Sequence, residues 1–491
     1  MLQAESRRVR EALIAKLRDI LPRQFVLTET EQLRPYECDG LTAYRQLPWI
    51  VVLPSNREEV EKILALCTAC GVPVVARGAG TGLSGGALPH PHGVLLSMTR
   101  LDRILSVDRA NRTARVQPGV RNIAISEEVE GMGLYYAPDP SSQIACSIGG
   151  NVAENAGGVH CLKYGLTVHN ILKLEVVLMS GESVTIGADA LDMPGYDLLA
   201  LMTGSEGMLG VVTEVTVRLL PKPAVARVIL AAFDDLAMAG NAVAAIIGAG
   251  IIPAGLEMMD NPAIRAVEDF VHAGYPRDAA ALLLCELDGT ESEVEAGIRV
   301  VTRILELQGA TEIRVATDEA ERQRFWSGRK NAFPAIGRIS PDYYCIDGTI
   351  PKKRLGEVLT GISKLSNEYD LRVANVFHAG DGNLHPLILY DGSQPGEFER
   401  TEALGGKILE LCIAVGGTIT GEHGVGVEKL NQMCVQFEAP ELDQFHAIKK
   451  AFDPAALLNP GKAVPTLARC AEFNAMHVHK GRLPFPELPR F

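Results

Sequence analysis

Val72-Pro73-Val74-Val75-Ala76-Arg77-Gly78-Ala79-Gly80-Thr81-Gly82-Leu83-Ser84-Gly85-Gly86 is the stretch that decides the fold. An apolar, strand-like run enters a glycine-rich loop. Glycine tolerates positive φ and has no Cβ to hold a ligand off, so successive backbone N–H groups of such a loop can turn toward phosphate oxygens. Gly80, Gly82 and Gly85 complete a Gly-x-Gly-x-x-Gly, the dinucleotide fingerprint, which must open a helix in the doubly wound folds that use it. Here Ala87-Leu88-Pro89-His90-Pro91-His92-Gly93 follows and its prolines forbid a helix. Another strand, Val94-Leu95-Leu96-Ser97-Met98, comes next. The loop therefore reads as a phosphate cradle that works without a helix dipole, in a fold other than the doubly wound one.

Upstream, Ile50-Val51-Val52-Leu53-Pro54 reads as a strand. Ser55 with Glu58 forms a capping box, and Val60, Ile63, Leu64, Cys67 and Cys70 recur at helical spacing up to Gly71. Cys67 and Cys70 make a CxxC, but both fall on the apolar face and no second pair exists to complete four iron–sulfur ligands. They read as structural. Downstream, further small-residue turns lie beside strands: Pro138-Asp139-Pro140-Ser141-Ser142, Ser147-Ile148-Gly149-Gly150-Asn151, Asn155-Ala156-Gly157-Gly158, and Gly204-Ser205-Glu206-Gly207-Met208-Leu209-Gly210, which runs into Glu214-Val215-Thr216-Val217. At each a large planar ligand could lie against main chain.

The 491 residues suffice for two or three domains with real cores. A net charge of -13, with no basic face, argues against nucleic acid. Met1 to Ile20 is a charged helical segment and not a signal peptide. No apolar run reaches membrane-spanning length, so no direct membrane span is expected. The ten cysteines, in a chain of this kind, are expected to be reduced thiols of a cytoplasmic protein.

In the second half, beyond Pro221-Lys222-Pro223, strand-like and helical segments alternate: Val228–Phe233, Leu236–Ile247, Ala281–Leu287, Val294–Leu307, and a second round from Glu312. This predicts an antiparallel sheet with helices on one face. Phe377-His378-Ala379-Gly380-Asp381-Gly382-Asn383-Leu384-His385 places two histidines seven residues apart, and Gly421-Glu422-His423-Gly424 adds a carboxylate and a third imidazole. Neutral imidazoles with one carboxylate suit a zinc-like divalent ion that keeps a coordination position open. Such a position holds a substrate oxygen and lowers the pKa of its proton. A lone histidine is more often packed or on the surface; these residues together, set among glycines, read as a site.

Taken in order, the loop Arg77–Gly86, Pro138-Asp139-Pro140, Ile148-Gly149-Gly150-Asn151, Asn155-Ala156-Gly157-Gly158 and Gly204–Gly210 resemble the FAD domain of the vanillyl-alcohol oxidase type. The downstream His and Glu-His motifs resemble its FAD-linked oxidase C-terminal domain, shared by D-lactate, D-2-hydroxyglutarate and glycolate dehydrogenases. The resemblance covers nearly the whole chain. It implies an α+β fold: a two-subdomain FAD-binding domain of that type plus an antiparallel-sheet α+β cap, or substrate, domain. The expected boundaries are an N-terminal helical segment at 1–45, the FAD domain at 46–224, the substrate domain with the metal site at 225–463, its end returning to the flavin, and a tail at 464–491.

The same resemblance implies residue roles. Arg77, Gly78, Ala79, Gly80, Thr81 and Gly82 would wrap the FAD pyrophosphate, with Arg77 pairing with phosphate. Pro138, Asp139, Ser142, Gly149 and Gly150 would line the flavin, and Glu206, Gly207 and Val211 would lie near the adenosine end. Some members tether the flavin through a histidine in the first loop; no residue from Arg77 to Gly86 is His or Cys, so non-covalent FAD is expected. His378, His385 and Glu422 fall on the family's metal ligands, for one divalent ion such as zinc or manganese. His423 falls on the proton acceptor. Arg329, in Phe325-Trp326-Ser327-Gly328-Arg329-Lys330-Asn331, falls on the arginine that binds the substrate carboxylate by a planar fork. The implied reaction removes the hydroxyl proton of a 2-hydroxy acid to His423 and its C2 hydrogen as hydride to flavin N5.

In 2-hydroxyglutarate-type relatives a lysine is expected about where Cys345 stands and an amide about where Leu387 stands. Apolar residues leave a second carboxylate without a partner, at a cost of several kcal/mol if buried, which favours a small monoacid such as glycolate or D-lactate. The run Phe325–Pro351 and the tail, Pro465–Phe473 through His477 and His479 to Pro484-Phe485-Pro486, most resemble the large flavoprotein subunits of bacterial glycolate oxidases. That implies a second FAD-domain subunit, an iron–sulfur subunit and peripheral attachment at the cell membrane through them. A stand-alone D-lactate or D-2-hydroxyglutarate dehydrogenase, a zinc hydrolase and a silent FAD-binding scaffold are the alternatives.

Overall fold

The computed structural model describes residues 2–190, 194–466 and 469–470; His477, His479 and the Pro-rich end of the tail lie outside the described residues. No helix among them is long and apolar enough to cross a membrane. The chain forms two compact units. The first takes residues up to 156, 166–221 and those from 423 on; the second takes 157–165 and 222–422.

The first unit contains two larger sheets and a two-stranded one that pairs Leu220–Pro221 with Leu134–Tyr135. A four-stranded one runs Val26–Leu27, Ile50–Val52, Val94–Ser97, Val74–Arg77, with the last three strands mutually parallel. A five-stranded antiparallel one runs Ile104–Asp108, Thr113–Val116, Val211–Arg218, Ile171–Val177, Ser183–Gly187. The strand–helix–strand reading around the first loop holds, with one shift. The helix Arg57–Cys70 is capped by Asn56, whose side chain accepts the Glu59 N–H, while Ser55 bonds the Glu59 carboxylate. Cys67 is buried on that helix, and burial pushes its thiol up to about 12, as befits an inert core residue.

Three further expectations change. Ser147–Asn151, read as a turn, opens the helix Ile148–Glu154, because Ser147 caps it and offsets the poor helix propensity of Gly149 and Gly150. Of the ten cysteines read as thiols, Cys434 and Cys470 form a disulfide; they stand 36 positions apart, which left this invisible to spacing. Finally, the segment from His423 on, expected within 225–463 with its end returning to the flavin, groups with the first unit. The Val74 N–H bonds the Leu457 carbonyl at 2.8 Å and the Asn459 N–H bonds the Val74 carbonyl at 2.7 Å, which adds the returning chain beside the strand that leads into the glycine loop.

The second unit is built on a seven-stranded antiparallel sheet: Glu312–Val315, Val225–Phe233, Ala281–Gly289, Gly255–Asp260, Val373–Phe377, Pro386–Tyr390, Asp342–Cys345. Consecutive residues Val228 to Phe233 and Ala281 to Leu287 are all buried. Side chains alternate across a strand, so both faces of this sheet are covered and not one alone. Val228, Leu230, Leu282 and Leu284 pack with Ile264, Val267, Phe325 and Ile336 on one side. Residues 157–165 join this unit through Tyr164, whose hydroxyl donates to Asp288 at 2.6 Å, and through Leu162, which lies where a Cβ on Gly380 would be.

Candidate functional site

The glycine loop leaves its strand at Arg77. Among the described residues, none of the N–H groups from Gly78 to Gly86 donates to a backbone carbonyl. Main-chain donors need partners, and a run of them without main-chain acceptors suits a pyrophosphate. Close packing enforces the glycines: a Cβ on Gly78 would stand 2.1 Å from Ser147 Oγ, and Gly80 has φ +74 with the Arg77 guanidinium against its Cα. Arg77 itself is not free for a phosphate along its whole fork. Nη1 donates to the Cys38 carbonyl at 2.6 Å and the guanidinium lies 5.8 Å from the Tyr36 ring centre. Replacing Gly78 by Ala must displace the cap of helix Ile148–Glu154, and the loss of such a cap costs about 1 kcal/mol. We expect FAD affinity to drop roughly tenfold or less, read as flavin released on dilution and gel filtration.

Of the residues expected to line the flavin, Pro138 offers its carbonyl to Asn122 at 3.0 Å, and Ser142 begins a turn in which its carbonyl accepts from Ala145 and Cys146. Gly149 presses on Pro118, since a Cβ there would lie 2.5 Å from the proline ring. The side chain of Val211 packs into the core with Val74, Leu96 and Val177. The Glu206 carboxylate is engaged: its two oxygens accept the Val425 and Gly426 N–H groups, each at 2.7 Å. Glu206 thus clamps the chain two residues past His423. A Cβ on Gly424, which has φ +81, would fall 2.2 Å from a Glu154 carboxylate oxygen, so this turn admits glycine alone.

In the second unit the two histidines meet through a tight turn. His378 ends the strand Val373–Phe377, Gly382 turns with φ +83, and His378 and Asn383 exchange both backbone hydrogen bonds. That brings the rings of His378 and His385 to 5.2 Å, at 87° to each other. Glu422 arrives from the end of the unit, because the buried Asp347 carboxylate accepts from the Gly421 N–H at 3.0 Å, the Glu422 N–H at 3.3 Å and the Thr420 hydroxyl at 2.6 Å. Glu422 Oε1 then lies 3.2 Å from His378 Nε2 and 2.9 Å from His385 Nε2. The three donor atoms lie within 4.8 Å of one another.

The chemistry of this donor set fits a divalent cation. His378 Nδ1 is 2.7 Å from Glu257 Oε1, and an ionised carboxylate only accepts, so Nδ1 carries the proton and Nε2 is left to ligate. The buried carboxylates of Glu257 and Asp347 and the partly buried one of Glu422 converge on the two histidines and their turn, and Glu257 Oε2 accepts from Arg329 Nε at 2.7 Å. Burial opposes charge here. Yet the carboxylates of Glu257 and Glu422 hold His378 well above the ordinary histidine range, and the two imidazoles hold Glu422 well below the carboxylate range. The position calls for positive charge. Arg329 lies on helix Glu319–Lys330, 2 % exposed, and its Nη2 is buried without a hydrogen-bond partner among the described residues. Cys345 and Leu387 face each other in register across neighbouring strands, 4 % and 0 % exposed. Reading the sequence missed Glu257 and Asp347, single acids in apolar strands and turns with no motif to mark them.

Comparison with known proteins agrees with this architecture. A model described as the FAD binding domain matches residues 48–187, and one described as FAD linked oxidases, C-terminal domain, matches residues 222–463. The chain belongs to the FAD-linked oxidases, with FAD as its cofactor. It is 67% identical over 482 residues to glycolate oxidase subunit GlcD of Escherichia coli (strain K12), covering 98% of this chain and 97% of that protein. Identity to glycolate oxidase subunit GlcD of Bacillus subtilis (strain 168) is 40%, over 88% and 93%, and to the D-lactate dehydrogenase of Anaerostipes hadrus 32%, over 94% and 99%. Among solved structures, p-cresol methylhydroxylase with substrate bound superposes with a TM-score of 0.78 at 18% identity, covering 93% of this chain and 97% of that one. The fold is that of the vanillyl-alcohol oxidase type.

Proposed function

We propose that this chain oxidises a small 2-hydroxy monoacid, glycolate to glyoxylate and D-lactate to pyruvate, as one subunit of a larger enzyme. The observation that carries the proposal is the convergence of His378, His385 and Glu422 in the same unit as a buried arginine with a donor still to be satisfied. Arg329 binds the substrate carboxylate and so fixes where the 2-hydroxyl lies. His423, next to Glu422 in the chain, accepts the hydroxyl proton as the C2 hydrogen leaves. One divalent cation, zinc or manganese, held by His378, His385 and Glu422, would supply a Lewis acid that polarises the hydroxyl, and FAD, bound non-covalently, would supply the hydride acceptor at N5. Cys345 and Leu387 offer no cation or amide to a second carboxylate, which favours a monoacid over a diacid. The similarity to proteins named as glycolate oxidase subunits supports partner subunits, for which a second FAD-domain chain and an iron–sulfur chain are proposed; attachment to the inner face of the membrane would follow from them.

The test is anaerobic flavin bleaching. Purified yellow protein receives glycolate, D-lactate, L-lactate or D-2-hydroxyglutarate in turn. Rapid bleaching by glycolate and D-lactate is expected, and a strong chelator should abolish it while leaving the bound flavin in place. Bleaching by 2-hydroxyglutarate alone would overturn the monoacid assignment. Undiminished bleaching after verified metal removal would overturn the metal's part.

A further inference from the structure

Glu257 lies in the middle of the strand Gly255–Asp260, 1 % exposed, in a largely apolar sheet that also buries Asp260, Glu286 and Asn375. A lone acid buried at such a place is costly unless every oxygen is used. Both are. Oε1 meets His378 Nδ1 at 2.7 Å and Oε2 meets Arg329 Nε at 2.7 Å. Sheet register explains the first contact: Met258 pairs with Phe377, so the next step along the antiparallel ladder sets Glu257 opposite His378. The second comes from helix Glu319–Lys330 packed on that face of the sheet.

We infer that Glu257 is a positioning residue that sets the His378 ring and the Arg329 fork together, so that one carboxylate fixes the distance between the metal position and the substrate carboxylate. The inference rests on the metal and arginine roles proposed above. Geometry gives the reason. A proton on Nδ1 is what directs the lone pair of His378 Nε2 outward, and an anchor on Nε is what leaves the two terminal nitrogens of Arg329 as the edge presented to a ligand. A glutamine cannot replace it. Its amide offers one acceptor and one donor group, and both partners here are donors.

The experiment compares Glu257→Gln, Glu257→Asp and His378→Ala in the full chain with FAD bound. Zinc affinity is measured by competition with a chromophoric chelator, and KM and kcat for glycolate are measured at saturating zinc. Loss of an outer carboxylate of this kind weakens metal binding by roughly 10- to 100-fold. Glu257→Gln should show that loss and also a raised KM, a joint effect that a merely structural residue would not give. Glu257→Asp keeps the charge with one methylene less reach; it should lose part of both properties and carries the test if the glutamine variant does not fold. Wild-type zinc affinity or wild-type KM in a folded Glu257 variant overturns the inference, provided His378→Ala has lost the metal. Retention of zinc by His378→Ala overturns the metal reading itself, and this inference with it.

Discussion

His423→Ala is expected to lower turnover on glycolate by roughly 10²- to 10⁴-fold, the usual worth of a positioned general base, while flavin colour and bound metal are retained. His423 sits between two backbone clamps. On one side the Gly421 and Glu422 N–H groups bind Asp347, and on the other the Val425 and Gly426 N–H groups bind Glu206. Backbone held on both sides fixes the direction of the Cα–Cβ bond of His423 whatever side chain follows. Removal of the imidazole should therefore act on the chemical step more than on the fold. The pH profile supplies the second readout. A histidine base works when neutral, so kcat/KM of the wild type should fall at low pH, and the alanine variant should lose that limb. A variant within threefold of wild type would show that the proton goes elsewhere.

Arg329→Lys is expected to raise KM and to lower kcat/KM by roughly 10- to 100-fold, corresponding to the loss of one hydrogen bond between charged groups at about 1.5–3 kcal/mol. Lysine keeps a positive charge beside Glu257 but has no planar fork, so it can serve the buried glutamate or the substrate carboxylate and not both. Arg329→Met separates binding from stability. It strips Glu257 of its cation in a place where the two side chains are 3 % and 1 % exposed, and truncating one partner of a buried pair costs about 3–5 kcal/mol. The methionine variant should melt markedly earlier and fail to bleach with any hydroxy acid. The lysine variant should stay folded and bleach slowly at high substrate. Unchanged KM in Arg329→Lys would remove the arginine from the substrate site.

The two results together would describe an economy in the second unit. Buried acids far apart in the chain hold the site from behind, Glu257 behind His378 and Arg329, Asp347 behind the Glu422 turn. Such groups are held by hydrogen bonds to both oxygens, which is what makes a buried carboxylate tolerable. It follows that substitution of either should disturb more than one property at once.

What could be read without the structure is what local chemistry dictates. A loop of glycines after a strand, with prolines where a helix should begin, already excludes the doubly wound fold. Histidines seven residues apart across a Gly-Asp-Gly turn must come close whatever surrounds them, and Glu422 beside His423 carries its meaning in its neighbours. These short-range facts pointed to a phosphate loop and a donor set, and the class of fold and the flavin came from the resemblance that the motifs bear to a known family. What the chain does over long range stayed hidden. Glu257 finds His378 121 residues away and Arg329 72 residues away, and within its own strand it is one more position between leucine and methionine. Glu206 reaches Val425 across 219 residues. The same holds for the segment 157–165, which leaves the first unit for the second, and for the Cys434–Cys470 bridge. Periodicity reports which face of an element is buried but not what it is buried against. A carboxylate at an inward position is marked as costly by its sequence, and only the tertiary structure decides which partners make it affordable.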